Sequence, residues 1–435
     1  MRITRIDLWH VSIPLPDIFW PSWIPGFPQT ENRFTLARVT TASGLQGWTA
    51  GAALGREREG LGSLLGPYLL GERADDIPSI RQRIREMGYL GMRVGWLEPA
   101  CWDVVGKARG KPVYELLGGQ PGKVRLYAST GEVKQAPERI REVEARLAEG
   151  FTAVKLRVHA ATLAEDVAQV RDTRRAVGDA VVLGVDANQA WRVAVVADAP
   201  CWDLPRARAF CDAAHQAGLA WVEEPLPMDD YDALAALREA TEIDVAGGEL
   251  NNQGLPEFRV MLEKRCYDVY QPDAVFTGGI ADTWRIIQRV KEAGARYTPH
   301  TWTNGVGFAI NLQLHAASPF RQDTLLEYPY NPPGWTPEGR DGILQACWTH
   351  DRGTLELPTA PGLGVLVDER RLRRFGHHFF TATRARVAVR TVLDKGIRIA
   401  RLAGDTRDAR LRARHEELES MARAGRDVVI EALSP

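Results

Sequence analysis

The 435-residue chain is 45% hydrophobic and 26% charged, enough to bury a large core, and its formal net charge of −1 excludes a global field for nucleic acid or an anionic membrane. Its length suits a barrel of about 250 residues plus a second module. The five cysteines (Cys101, Cys201, Cys211, Cys266, Cys347) include no CxxC pair, which excludes a zinc or disulfide framework and suits a reducing, cytoplasmic compartment.

Residues 1–124 read as an α+β module. The N-terminus alternates polar and apolar residues, unlike a signal peptide, and no uncharged run in the chain approaches the ~18 residues of a membrane span. Alternation over Thr4–Val11 and Phe34–Val39, with a Ser43-Gly44 turn, predicts paired antiparallel strands. Between them, Pro14 to Asn32 reads as a loop holding Phe19, Trp20, Trp23 and Phe27 among five prolines. It is either a lid over a ligand or a loop packed on its own domain or a neighbouring subunit. Helical periodicity follows over residues 56–120, closing on Leu117-Gly118-Gly119.

From residue 125 to 345, strands alternate with helices, for example Ala136–Ala148, Leu163–Val177, Ala207–Gln216 and Ile280–Ala293. That alternation implies parallel strands closing into a (β/α) barrel. Trp191 to Pro205 stretches the step from Asp186 to Glu223 to 37 residues and reads as an insertion at the barrel mouth. Tyr328 to Gly339 is rich in proline and glycine. Residues 346–376 read as a return segment packing on the first module. Residues 377–435 read as an arginine-rich helical extension, a solvated or subunit-contacting element without chemistry.

The barrel strands end in charge. Lys155 and Arg157 close Val154-Lys155-Leu156-Arg157, and Asp186 and Asn188 close Val185-Asp186-Ala187-Asn188. Glu223 opens Glu223-Glu224-Pro225, Glu249 follows Gly248, Asp273 ends Gln271-Pro272-Asp273, His300 follows Pro299, and Glu327 follows Leu325-Leu326. From Glu223 onward the steps are 26, 24, 27 and 27 residues, each about one strand–helix unit. Asp186, Glu223 and Glu249 offer one carboxylate from each of three successive strands. Such a set suits a hard divalent cation, Mg2+ better than zinc.

These motifs, with Glu98-Pro99-Ala100-Cys101-Trp102-Asp103-Val104-Val105-Gly106-Lys107 ahead of the barrel, resemble the mandelate racemase subgroup of the enolase superfamily over about residues 1–375. The resemblance implies a modified TIM barrel, (β/α)7β, under an N-terminal α+β capping domain. It implies Mg2+ held by Asp186, Glu223 and Glu249, and abstraction of the proton α to a carboxylate. Lys155 would face the substrate carboxylate, His300 would take the proton, and Asp273 would orient His300. Glu327, protonated, would donate to the carboxylate, and Asn188 would bind a substrate hydroxyl. Trp20, Trp302 and Arg56 are candidate substrate contacts. A small-molecule sugar acid is the expected partner, and a homo-oligomer, dimer to octamer, is expected by resemblance.

Arg157 departs from the family's frequent Lys-x-Lys pattern. A guanidinium with a pKa above ~12 makes a poor proton acceptor. Racemisation needs competent bases on both faces, whereas a dehydratase can return the proton from one base to the departing β-hydroxyl. The expected reaction is therefore dehydration of a sugar acid to a 2-keto-3-deoxy acid. The alternatives are a 2-hydroxy-acid racemase or epimerase and, from another class, a non-catalytic binding protein on the same barrel.

Overall fold

The alternating N-terminal residues build a strand longer than their clearest pattern, β1 (Ile3–Phe19), which pairs with β2 (Gln29–Thr41). The chain then adds β3 (Gln46–Ala52), α1 (Gly62–Leu69), α2 (Ile77–Tyr89), α3 (Pro99–Arg109) and α4 (Val113–Leu116). The structure is a computed structural model describing residues 1–52, 62–89, 91–191, 196–197, 201–431 and 433. No helix among the described residues is long and apolar enough to cross a membrane.

From β4 (Lys123–Ser129), strands and helices alternate: α5 (Ala136–Ala148), β5 (Ala153–Arg157), α6 (Leu163–Val177), β6 (Val182–Asp186), α7 (Leu204–Gln216), β7 (Trp221–Glu223) and α8 (Tyr231–Ala240). The series continues with β8 (Asp244–Gly247), α9 (Leu255–Lys264), β9 (Val269–Tyr270), α10 (Ala274–Thr277), α11 (Ile280–Glu292), β10 (Arg296–Tyr297), α12 (Gly305–Ala317) and β11 (Leu326–Pro329). Neighbouring strands are parallel in the order β10-β9-β8-β7-β6-β5-β4-β11. The ends approach through side chains: Thr298 Oγ1 donates to the Leu325 carbonyl (2.6 Å) and Thr324 Oγ1 to that of Tyr297 (3.0 Å). The result is barrel-like. Helix starts follow local chemistry, as where Thr162 and Glu165 form a capping box on α6 and Asp203 and Asp230 cap α7 and α8.

Then come α13 (Pro337–Asp341), β12 (Thr354–Glu356), α14 (Glu369–Phe375), β13 (Gly376–Thr383), α15 (Arg384–Arg423) and α16 (Val428–Glu431). β13 corrects the expectation that residue 377 begins a helical extension. It is an edge strand of the capping sheet, in the order β13-β1-β2-β3. It covers β1 only from Arg5 to Val11, so Pro14 and Pro16 lie on an open strand edge, where a missing N–H breaks no ladder. This is why the loop expected over Pro14–Asn32 shrinks to the tip between Phe19 and Gln29.

Two carboxylates of the Glu98–Lys107 segment join the modules. Buried Glu98 accepts from Trp102 Nε1 (2.6 Å) and from the first amides of barrel helix α11, Ile280 (2.8 Å) and Ala281 (3.1 Å). Asp103 accepts from the amides of Trp48 on β3 and Leu363 in the return segment, both at 2.9 Å.

Within the capping sheet, Asp7 on β1 binds Arg5 Nε (2.8 Å), Arg38 Nη2 on β2 (3.1 Å) and Thr381 Oγ1 on β13 (2.6 Å). Burial alone would raise its pKa, but these bonds outweigh burial and pull it from 3.8 to about 2. A depressed carboxylate adds stability above its unfolded pKa and loses it as pH falls through the folded value. Asp7→Asn should lower stability by about 1–2 kcal/mol at neutral pH. The gap from wild type should close between pH 4 and pH 2, as read by thermal melts across that window.

Candidate active site

The parallel register places the charged strand ends side by side. Arg157 on β5 is paired with Asp186 on β6, and Asp186 with Glu223 on β7. Glu249 lies two residues past β8, Asp273 and His300 three past β9 and β10, and Glu327 lies within β11. Lys155, Arg157, Asp186, Glu223, Glu249, Asp273, His300 and Glu327 are all buried and meet at the C-terminal end of the sheet.

Lys155 Nζ lies between three carboxylates. It bonds Glu223 closely, sits 2.7 Å from Glu327 Oε1 and 3.5 Å from Asp186 Oδ2. Arg157 Nη1 pairs with Asp186, its Nε donates to the Thr130 carbonyl (2.6 Å), and Nη1 reaches Asn188 Oδ1 (3.2 Å). Its guanidinium also lies over the rings of Trp23 (5.4 Å) and Trp302 (5.6 Å). Arg157 is thus held through Nε and Nη1 and by two indole rings, which reinforces its unfitness as a base.

His300 Nδ1 meets Asp273 Oδ2 at 3.0 Å, leaving Nε2 toward the site, 3.5 Å from Glu249 Oε2. Asp273 is itself held through Oδ1, which accepts from Asn311 Nδ2 (2.7 Å) and the Val275 amide (2.8 Å). Burial opposes protonation of His300, but Glu249 and Asp273 outweigh it and push the imidazole up to about 9. Charge taken up at Glu249 would relax this hold and free Nε2 to accept a proton.

Glu327 accepts from Lys155, Ser129 Oγ (2.8 Å) and the Thr301 amide (2.7 Å). Burial would raise its pKa, yet Lys155 and His300 pull it down to about 2. In this arrangement it anchors Lys155, and the protonated donor role expected from the sequence concerns the substrate-bound site.

Asn188 lies beyond the end of β6, with φ 47°, and accepts from Ser22 Oγ of the β1–β2 tip at 2.5 Å. Glu224 follows β7 with φ 48°. Two non-glycine residues in the left-handed region at adjacent strand ends mark strain held by the surrounding site.

The β1–β2 tip roofs the site. Phe19, Trp302, Trp335 and Leu15 form a buried cluster with Trp23 against it, and Phe19 stacks on Trp302 at 5.6 Å. Trp302 Nε1 donates to Ser129 Oγ (2.8 Å), linking the roof to the Glu327 anchor. Trp20 is half-exposed outside this cluster; its neighbours Phe19 and Trp23 make the inward contacts. Arg56 lies outside the described residues, as does part of the Trp191–Pro205 insertion. Ala197 of that insertion donates its amide to the Pro25 carbonyl of the tip (3.3 Å).

Gln271, Ser129, Thr301, Asn311 and Ser22 complete the network and are site residues that the sequence did not single out, while Trp23 comes from the aromatic loop it did. Gln271 Nε2 donates to Glu223 Oε2 at 2.8 Å. Its position in the Gln-Pro-Asp motif, two residues before Asp273, was the available signal. Asn311 lies 38 residues from Asp273 on α12, where sequence offers no cue.

Asp186, Glu223 and Glu249 offer only oxygen donors, the chemistry of a hard divalent cation. Burial raises Asp186 to about 6 and also raises Glu249 and Glu224, so the cluster holds more negative charge than Lys155, Arg157 and His300 relieve. Glu224 Oε2 is buried without a hydrogen-bond partner. Among the described residues no three acidic, histidine or cysteine side chains close around a common point as ligands do. Lys155 and Arg157 already grip Glu223 and Asp186. By donor chemistry and charge excess, the residues fit such a cation.

If Asp273 and Asn311 serve His300, the three substitutions should rank. His300→Asn should lower kcat by about 10²–10⁴-fold. Asp273→Asn should lower it less, and Asn311→Leu least, each with KM nearly constant in steady-state kinetics. A KM effect as large as the kcat effect in Asn311→Leu would contradict the positioning role.

Comparison with known proteins bears on the fold and the family. Residues 21–118 match the model of the mandelate racemase / muconate lactonizing enzyme N-terminal domain, and residues 138–371 match the enolase C-terminal domain-like model. The chain is 28% identical over 359 residues to an arabinonate dehydratase of Saccharolobus solfataricus, covering 79% of this chain and 91% of that one. It superposes with a TM-score of 0.72 and 26% identity on the L-talarate dehydratase of Polaromonas sp. JS666 complexed with Mg and L-glucarate, covering 88% of this chain and 98% of that one. A mandelate racemase-like protein of Bordetella bronchiseptica RB50 superposes with a TM-score of 0.76 and 26% identity, over 87% and 95% of the two chains. Other relatives are cycloisomerases and epimerases. The chain belongs to the mandelate racemase/muconate lactonizing enzyme family of the enolase superfamily.

Proposed function

We propose that this chain is a hydro-lyase that dehydrates a sugar acid to its 2-keto-3-deoxy acid. The observation that carries the reading is the asymmetry of the two candidate bases. His300 presents Nε2 to the site on a chain of hydrogen bonds through Asp273 and Asn311. Arg157 is permanently cationic and held by Asp186, Thr130, Asn188 and two indole rings.

His300 Nε2 takes the proton from the carbon α to the carboxylate, and the electron pair moves into an enediolate. The pair then returns to form the Cα–Cβ double bond as the β-carbon–oxygen bond breaks. The leaving hydroxide collects the proton from His300 as water, and the enol tautomerises to the ketone. Lys155 supplies fixed positive charge beside the developing enediolate, with Glu327 holding its position. Mg2+ held by Asp186, Glu223 and Glu249 would add further positive charge at the substrate carboxylate. The aromatic roof excludes water from this step. The dehydratase names of two relatives support the reading.

The test is a screen of mono- and diacid sugars with Mg2+, read as semicarbazide-reactive keto acid. Keto acid should form from at least one sugar acid, cease with EDTA and return when Mg2+ is restored. Exchange of solvent deuterium into substrate without loss of water would overturn the dehydratase reading. Activity indifferent to chelation would overturn the metal assignment.

A further inference from the structure

A cavity of about 330 Å³ enters the barrel from the end opposite the candidate active site. Val182, Asp244, Val269 and Arg296, the first residues of β6, β8, β9 and β10, stand at its entrance. Barrel interiors are ordinarily filled by layers of bulky side chains. Here small residues leave the space. Gly184 on β6 has no side chain, and a Cβ there would lie 2.1 Å from the Trp221 indole, which therefore lies across β6. Ala220 and Ala246 form part of the wall, and Trp221 meets the Tyr127 ring edge-on at 5.3 Å. At the inner end stands Gln271, whose Nε2 donates to Glu223 Oε2 (2.8 Å), with Trp221 Nε1 on the same oxygen (3.3 Å). That carboxylate fixes the amide's orientation, because the amide oxygen in place of Nε2 would repel it. Gln271 Oε1 and the Tyr127 hydroxyl are buried without a hydrogen-bond partner among the described residues, and both residues line the cavity.

We infer that this cavity is a second binding site, for a small neutral polyol. Its volume falls within the roughly 300–1,000 Å³ of small-molecule sites. A buried polar atom without a partner costs stability, and hydroxyl groups can both donate to Gln271 Oε1 and pair with the Tyr127 hydroxyl. The rings of Trp221 and Tyr127, with Val182, Val269 and Leu325, offer an apolar wall to the C–H faces of such a molecule. Charge argues against an ion of either sign. Among the lining residues Arg125 and Arg296 are matched by Asp244 and Asp323, and Arg296 already pairs with Asp244. Water would satisfy the two polar atoms, but it gains nothing from the aromatic and aliphatic wall. A ligand hydroxyl on Oε1 would steady the amide that holds Glu223, so the site reaches the candidate active site from behind.

The test offers xylitol to the full chain, read by saturation-transfer NMR and by crystals soaked in it. Xylitol should bind at millimolar concentration and appear in the cavity with a hydroxyl on Gln271 Oε1. Val182→Trp fills the entrance from a position 42% exposed. It should weaken binding by about tenfold or more with an unchanged circular dichroism spectrum. Binding that survives this substitution places xylitol elsewhere, the candidate active site included, and overturns the inference. So does saturation only at molar xylitol, or a soaked crystal whose cavity holds water alone. Glycolate or ethylammonium bound there in place of xylitol would overturn the neutral class. Should Val182→Trp fail to fold, Ala220→Phe closes the same entrance from an exposed position and carries the same expectation.

Discussion

The barrel mouth depends on one arrangement, two permanent cations buried in a ring of carboxylates. Lys155 and Arg157 have almost no contact with water, and each is tolerable there only because it is paired. Removing either cation would leave carboxylates buried and uncompensated. The register of β5, β6 and β7 brings these charges into one row, and Gln271, Ser129 and Thr301 fix the remaining oxygens.

The same arrangement limits the chemistry. In the proposed reaction two cations near a substrate carboxylate make an enediolate attainable, but neither is a working base in this structure. Lys155 is locked in its proton-bearing form by its carboxylates, its pKa raised despite burial, and Arg157 is held by Asp186 and the roof. His300 differs from both: its Nε2 faces the site, Asp273 and Asn311 stand behind it, and its charge state responds to Glu249. The roof takes part as well. Trp23 and Trp302 cover Arg157 while Ser22 binds Asn188, so the seating of the β1–β2 tip and the grip of Arg157 on Asp186 share contacts.

Much of this was legible in the sequence, and the gaps have physical reasons. The barrel strands announced their ends because each places a charged residue after a short apolar run, and the helices between them show clear periodicity. The edge strand β13 did not. Its Gly376-His377-His378-Phe379-Phe380 run lacks alternation because one of its edges is unpaired and its faces are only partly buried. β3 escaped because Trp48, Thr49 and Ala50 are all buried, leaving no polar face to mark the period. The 2.7 Å contact between Lys155 and Glu327 was hidden by their distance along the chain. Asn311 was invisible for the same reason.

Central to this account is that one residue, His300, handles the α-proton and no second base returns it to the opposite face. Partial turnover of the sugar-acid substrate in D2O with Mg2+, followed by proton NMR of the unreacted acid, tests this most directly. The account predicts recovered acid of unchanged α-configuration beside accumulating keto acid. Accumulation of the α-epimer would contradict it.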